Sequence, residues 1–253
     1  MIWISDDHQL IENQTFSGNC SAFDLHEDGK KRGTFRTASV LVDGNNITFR
    51  NCTFENTAGQ GKVAGQAIAL YLDGNDICLE NCLIKGHQDT LFLAPLPEKE
   101  ILPGGFIGPK QFAPRTDRMV IFRKCRIEGG VDFVFGGASA LFEECEFHSV
   151  EAGYVFAPST PKHRKTGFTA VRCKFTCAKD VEDRSCFLAR PWRNNAKVHL
   201  ENCWMDRHIH PLGWDDWNKK EAHETVEFVE VDSCGPGSND CSRPKYVKVI
   251  RTK

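Results

Sequence analysis

Two aspartates in this 253-residue chain sit where a charge is costly. Asp132 interrupts the apolar run GGVDFVFGG (129–137), and Asp89 lies in HQDTLF (87–92). A carboxylate in apolar surroundings must be paired, hydrogen-bonded or protonated. Two such groups held close together cannot both ionise freely, so one carboxyl is pushed up and the pair titrates as a unit. That arrangement suits a nucleophile working beside a general acid/base. The plain alternatives are two solvated aspartates, or a cation site between them.

The cysteines indicate what would bring them together. Six segments share the template apolar-x-apolar-x-x-Cys-x-apolar: ITFRNCTF, ICLENCLI, VIFRKCRI, ALFEECEF, FTAVRCKF and VHLENCWM. Their anchors are Cys52, Cys82, Cys125, Cys145, Cys173 and Cys203, spaced by 30, 43, 20, 28 and 30 residues. A short strand recurring at such intervals is the signature of a solenoid. Within each unit the apolar positions keep period 2 on both sides of one phase break, as Ile47 and Phe49 do before Cys52 and Phe54. Period 2 means strand, and the break means a corner between two short strands. Asn51, Asn81 and Asn202 precede their cysteines, and asparagine tolerates the left-handed conformation of a one-residue corner. The pattern predicts an all-β parallel β-helix with an inward cysteine ladder. A β-sandwich or propeller would show more regular spacing and hairpin turns built on Asn-Gly, a dipeptide this chain lacks.

The ladder serves as a ruler. Asp89 follows Cys82 by seven residues, and Asp132 follows Cys125 by seven. Both therefore take the same position on consecutive coils, about 4.8 Å apart. Gln88 precedes Asp89 directly, and adjacent strand residues point to opposite faces, so a shared cleft requires a bend or bulge there.

The bulk composition narrows the function classes. Net charge is −2 and charged residues are 26%, with no clustered basic excess, so no nucleic-acid partner is expected. No stretch has the length of a membrane-spanning helix, so no membrane partner is expected either. Twelve cysteines would suggest a disulfide framework in a short secreted chain, but ladder positions make six of them buried thiols. There is no Cys-x-x-Cys pair for a zinc ribbon. Cys234 and Cys241 are left as a candidate disulfide pair. The start, MIWISDDHQLIENQTF, lacks a basic-then-apolar signal pattern. With the abundant thiols, this tilts the expectation slightly toward the cytoplasm, secretion being the alternative. Oligomeric state is not indicated.

With these residues in place, the chain resembles the pectin methylesterase (pectinesterase) family. GQAIAL (65–70), QDTL (88–91), VDFVFG (131–136) and RPW (190–192) occur in that family's order, and 33–59, 153–161 and 208–225 look like it too. The resemblance runs from about Gly33 to His223. It implies a single-stranded right-handed parallel β-helix, a pectin lyase-like solenoid, acting as a carbohydrate esterase on the C6 methyl esters of polygalacturonate. It further implies that Asp132 is the nucleophile, Asp89 the acid/base, Gln66 and Gln88 the oxyanion donors, and Arg190 the residue that orients Asp132. Trp192, Phe135, Tyr154 and Trp214 would contact the sugar. No metal or organic cofactor is implied; the partner would be pectin or a methylated oligogalacturonate. Consistently, there is no Gly-x-Ser-x-Gly elbow, so the common serine esterase route lacks its signature.

Some positions call for adjustment. Gln66 lies fourteen residues past Cys52 rather than seven, so the AGQGKVA stretch is expected to be an inserted loop that restores register. Arg190 falls two coils from Asp132 and must lean across about 10 Å of strand layers. Ala189 stands where the family usually has glycine. The Pro- and Gly-rich insertion 94–117 is expected beside the cleft, and resembles insertions of bacterial-type members. The family normally begins with a further coil and covering helix, so 1–253 reads as a single β-helix domain without them. That would expose a sheet edge and favour association. His208 and His210 would share a strand face, an improbable metal pair because no third ligand is placed. Trp214 and Trp217 either line a sugar groove or pack the last coil. A pectate lyase-like enzyme and a non-catalytic polysaccharide-binding β-helix are the competing classes; calcium-dependent formation of an unsaturated product would reveal the lyase.

Overall fold

A computed structural model of the chain describes residues 1–238 and 242–252. Among the described residues every pairing between strands is parallel and joins a strand to its counterpart in a neighbouring coil, making a parallel β-helix. One face is a nine-strand ladder running from Leu10–Glu12 through Thr48–Arg50, Ile77–Glu80, Met119–Arg123, Ser139–Glu143, Phe168–Val171 and Lys197–Glu201 to Glu227–Val231 and Val247–Ile250. The other two faces are joined by two long strands, Arg126–Gly136 and Glu146–Pro158, each of which runs through both.

The corner before each anchor cysteine is a single left-handed residue. Asn51, Asn81, Lys124, Glu144, Arg172 and Asn202 all have φ between 52° and 55°. Past the corner, the six thiols are 0–2% exposed and unpaired. Each donates to a carbonyl of the coil beneath, such as Cys125 Sγ to Leu79 O at 3.4 Å and Cys173 Sγ to Phe142 O at 3.3 Å. The thiols thus pack as small hydrophobes while meeting their one hydrogen-bonding need. The expected Cys234–Cys241 pair rests on Cys241, which lies outside the described residues.

Behind the ladder, phenylalanines from successive coils stack in register. Phe122 lies 4.6 Å from Phe142, and Phe147 lies 5.1 Å from Phe175, both face to face. Each such burial contributes about 1.5–3 kcal/mol. The core cluster is continuous from Val40 to Val247. A buried ion pair sits near its far end. Arg243 Nε donates to Glu230 Oε1 at 2.6 Å, Trp214 Nε1 donates to the same oxygen at 2.6 Å, and both charged side chains are at most 1% exposed. Arg243 Nη1 also donates to Pro211 O at 2.9 Å, so the charges leave few orphaned groups.

Candidate active site

Register places the two aspartates as the cysteine count requires. Leu91, Phe92 and Leu93 pair with Val134, Phe135 and Gly136, which stacks Asp89 on Asp132, and Asp89 N donates to Val131 O at 2.9 Å. The bend needed at Gln88–Asp89 is present. Asp89 has φ 61° and Asp132 has φ 50°, both left-handed, and the ladder shifts register between Val131 and Val134. A non-glycine residue in that region costs roughly 1–2 kcal/mol, a strain that clusters at functional sites. The turn swings both carboxyls to the outer wall while the following Phe133 and Val134 stay in the core.

They lie at the base of an open groove of about 360 Å³. Gln66 and Gln88 line it, as do Phe135, Trp192 and Arg190. Gln88 is admitted by Gly61, where a Cβ would stand 2.3 Å from Gln88 Oε1. Gly61 begins the short helix Gly61–Ala64, and this loop re-enters register so that Leu70 pairs with Leu91. Ala67 N then donates to Gln88 O at 3.0 Å, fixing Gln66 beside Gln88.

Arg190 reaches Asp132 across two layers: Val134 pairs with Phe156, and Phe156 with Ala189. Its Nε donates to Oδ1 at 2.8 Å and its Nη2 to Oδ2 at 2.7 Å. Ala189 is fully buried in the core cluster, so its methyl points away from the groove. Burial raises the Asp132 carboxyl above its ordinary range, and the Arg190 guanidinium offsets part of that rise. Because both oxygens accept an N–H, we assign the ionised form. Asp89 is different. It is 8% exposed, burial drives its carboxyl well above the ordinary aspartate range, and the Asp132 charge drives it further. The Arg190 charge opposes this more weakly. Asp89 is therefore the carboxyl of the pair that favours its protonated form.

Two of the expected sugar-contacting residues sit elsewhere. Trp214 is 1% exposed, stacks on Phe228 at 4.7 Å and donates to Glu230, so it belongs to the core and does not reach the groove. The reason is its bridge to Ala189, which turns the indole inward. Tyr154 lies outside the groove, its ring 3.8 Å from the Arg190 guanidinium and stacked on Phe187. Trp217 covers the other face of that guanidinium at 3.7 Å and does line the groove. Its partner role had no signal in the sequence beyond the tryptophan itself. The insertion borders the groove through Ile101, Leu102, Gly105 and Phe106, and Phe106 meets Trp192 edge-on at 6.2 Å. His208 and His210 do not share a face. His208 is fully buried, whereas His210 stacks on Phe187 at 4.5 Å; Arg207 and His208 lie in a turn and only Ile209 makes an isolated bridge, so no strand spans the two histidines.

Sequence comparison places this geometry among known proteins. The chain is 32% identical to Pectinesterase 31 of Arabidopsis thaliana over 93% of its own length, and 30% identical to Pectinesterase QRT1 of the same plant over 95%. It spans 67% and 59% of the length of these two relatives. Both are plant proteins, so they lend nothing to the bacterial-type likeness of the insertion. A solved pectin methylesterase from carrot superposes over 96% of this chain and 79% of its own, with TM-score 0.75 and 22% identity, the same right-handed parallel β-helix. The Pectinesterase family model matches residues 17–96 and 115–252, leaving out most of the insertion that borders the groove. On the strength of that match, this chain belongs to the pectinesterase family.

Proposed function

We propose that the groove hydrolyses methyl esters of polygalacturonate, releasing methanol and a free carboxylate, with pectin or a methylated oligogalacturonate as partner. One observation carries the reading: an arginine-clamped Asp132 stacked one coil from a buried Asp89 whose carboxyl is raised well above the ordinary range, at the base of an aromatic-walled groove. The environments of the two carboxyls differ in the sense that separates a nucleophile from an acid.

In this reading an Asp132 oxygen attacks the ester carbonyl carbon. The Gln66 and Gln88 amides, side by side on the groove wall, donate to the oxygen as it gains charge, each contributing a few kcal/mol. Asp89 gives its proton to the departing methoxide, and methanol leaves. The product at this point is an anhydride between Asp132 and the galacturonate carboxyl. Asp89, now a carboxylate, takes a proton from water as that water attacks the galacturonyl carbon. The Asp132 carboxylate is restored, Asp89 is reprotonated, and the acid is released. Trp192 and Phe135 offer flat apolar surface to a sugar ring. The chain from 1 to 253 acts as one β-helix domain in this scheme.

The experiment is methanol release from methylated pectin by the wild type and by Asp132→Asn. Release by the wild type and its loss in the variant support the reading; unchanged release by the variant would refute the nucleophile.

A further inference from the structure

Away from the groove, the structure gathers three unlike donors from two successive coils. Cys177 closes the strand Lys174–Cys177, and Asp206 and His208 follow the strand Trp204–Met205 that pairs with it. The Cys177 Sγ, a carboxylate oxygen of Asp206 and a ring nitrogen of His208 all lie within 4.8 Å of one another. None of the three lines the groove.

His208 carries the argument. It is 0% exposed, yet neither Nδ1 nor Nε2 has a hydrogen-bond partner. A buried polar group left unmatched costs about 1–3 kcal/mol, so such a group calls for an explanation. Its neighbours supply one. Cys177 is a free, half-buried thiol, and Asp206 is half-buried, with one oxygen accepting from Arg207 N at 2.7 Å. The guanidinium of Arg207, the cation closest in sequence, is engaged elsewhere, by Asp183 and by Val181 O at 3.0 Å. His148 faces this region too, but its Nδ1 is taken by Thr176 Oγ1 at 2.7 Å.

We propose that Cys177, Asp206 and His208 form a binding site for a divalent transition metal of zinc type. Thiolate, imidazole and carboxylate are the three zinc donors of proteins, with bonds of about 2.0–2.3 Å. Donors on such bonds stand roughly 3.5 Å apart in a tetrahedron, so side-chain rotations close the set. Cys177 loses its proton to the solvent on binding. One thiolate and one carboxylate then neutralise the ion, and a water completes the fourth vertex. The ion ties two coils together beside the turn 178–186. It takes no part in the reaction at the groove. This site replaces the His208–His210 pair suggested by the sequence: the turn at Arg207–His208 sets His208 beside Cys177 and Asp206, away from His210.

The test uses Co²⁺ as a spectroscopic probe and Zn²⁺ as its competitor, on the intact chain. The wild type is expected to bind one Co²⁺ with a thiolate-to-cobalt charge-transfer band that Zn²⁺ abolishes, and to gain thermal stability with Zn²⁺. Cys177→Ser is expected to lose the band, and Asp206→Asn to weaken Co²⁺ binding by about tenfold or more. Both positions are half-exposed, so both variants are expected to fold and to keep wild-type esterase activity, which serves as the folding control. His208→Gln, also checked by circular dichroism, is expected to lose the metal. Absence of a band up to millimolar Co²⁺, or a band that survives Cys177→Ser through Cys20, Cys78 or Cys234, would overturn the proposal.

Discussion

Arg190 grips Asp132 at two points, Nε to Oδ1 at 2.8 Å and Nη2 to Oδ2 at 2.7 Å, while Tyr154 and Trp217 enclose its guanidinium at 3.8 and 3.7 Å. The planar fork fixes the carboxylate plane, and the two rings fix the fork. Lysine offers a point charge and no plane. Arg190→Lys is therefore expected to lower kcat/KM by about 10²-fold, equal to about 2.7 kcal/mol of transition-state stabilisation, with little change in KM. Steady-state methanol release checks this. Retention of more than about a third of wild-type activity would show that charge alone suffices.

The two tryptophans three residues apart should separate cleanly on substitution. Trp217→Ala removes one face of the cation–π sandwich, a contact worth about 0.5–2 kcal/mol, and should lower kcat by roughly tenfold with the fold intact. Trp214→Phe leaves Glu230 without the indole donor at 2.6 Å inside the core, and should lower thermal stability while leaving kcat near wild type. Thermal melts and kinetics on the same preparations distinguish them. Reversed outcomes would place Trp214 at the groove after all.

Asp89 carries a stability cost whose pH dependence has a definite sign. Its carboxyl is raised in the folded chain, so above the ordinary aspartate range the folded state holds a proton that the unfolded state has lost. Stability falls as pH rises from that range until the folded group itself ionises. Asparagine does not titrate. Asp89→Asn should melt higher than wild type at neutral pH, the gain shrinking as pH is lowered toward 4, and should lose its acid/base activity. A gain that grows on acidification would mean that Asp89 is held ionised. In Asp132→Asn the neighbouring charge is gone, so the Asp89 carboxyl should titrate at lower pH than in the wild type, as read by carboxyl ¹³C shifts.

Counting from a cysteine located both aspartates because nothing is inserted between the ladder and Asp89 or Asp132; one corner and one short strand separate them in each coil. Where chain is inserted, the ruler slips. Gln66 could be placed only by the loop that ends in Gly61–Ala64. The corner itself was read from asparagine, yet Lys124, Glu144 and Arg172 adopt the same φ, since the stacked neighbours impose it. Two further coils escaped notice because they lack the cysteine. Asn13 at φ 55° and Asp232 at φ 49° turn the same corner ahead of Gln14 and Ser233. Face parity failed for His208 and His210 because it holds only within a strand. Trp214 and Trp217 could not be ranked at all: a single parallel bridge to Ala189 decides which one enters the core.

The insertion gives the last test. Phe106 is 6% exposed and packs edge-on against both Phe35, at 5.9 Å, and Trp192, at 6.2 Å, so it anchors the insertion to the groove wall. Arg193 also lies 4.9 Å over Trp192. Phe106→Ala should free the segment and loosen Trp192 without disturbing the reacting carboxyls. The expected result is a KM raised by about tenfold, near 1.4 kcal/mol, with kcat little changed and with faster proteolytic nicking around residues 98–112. A fall in kcat at constant KM would mean instead that the insertion positions the reacting ester and does more than hold the chain beyond it.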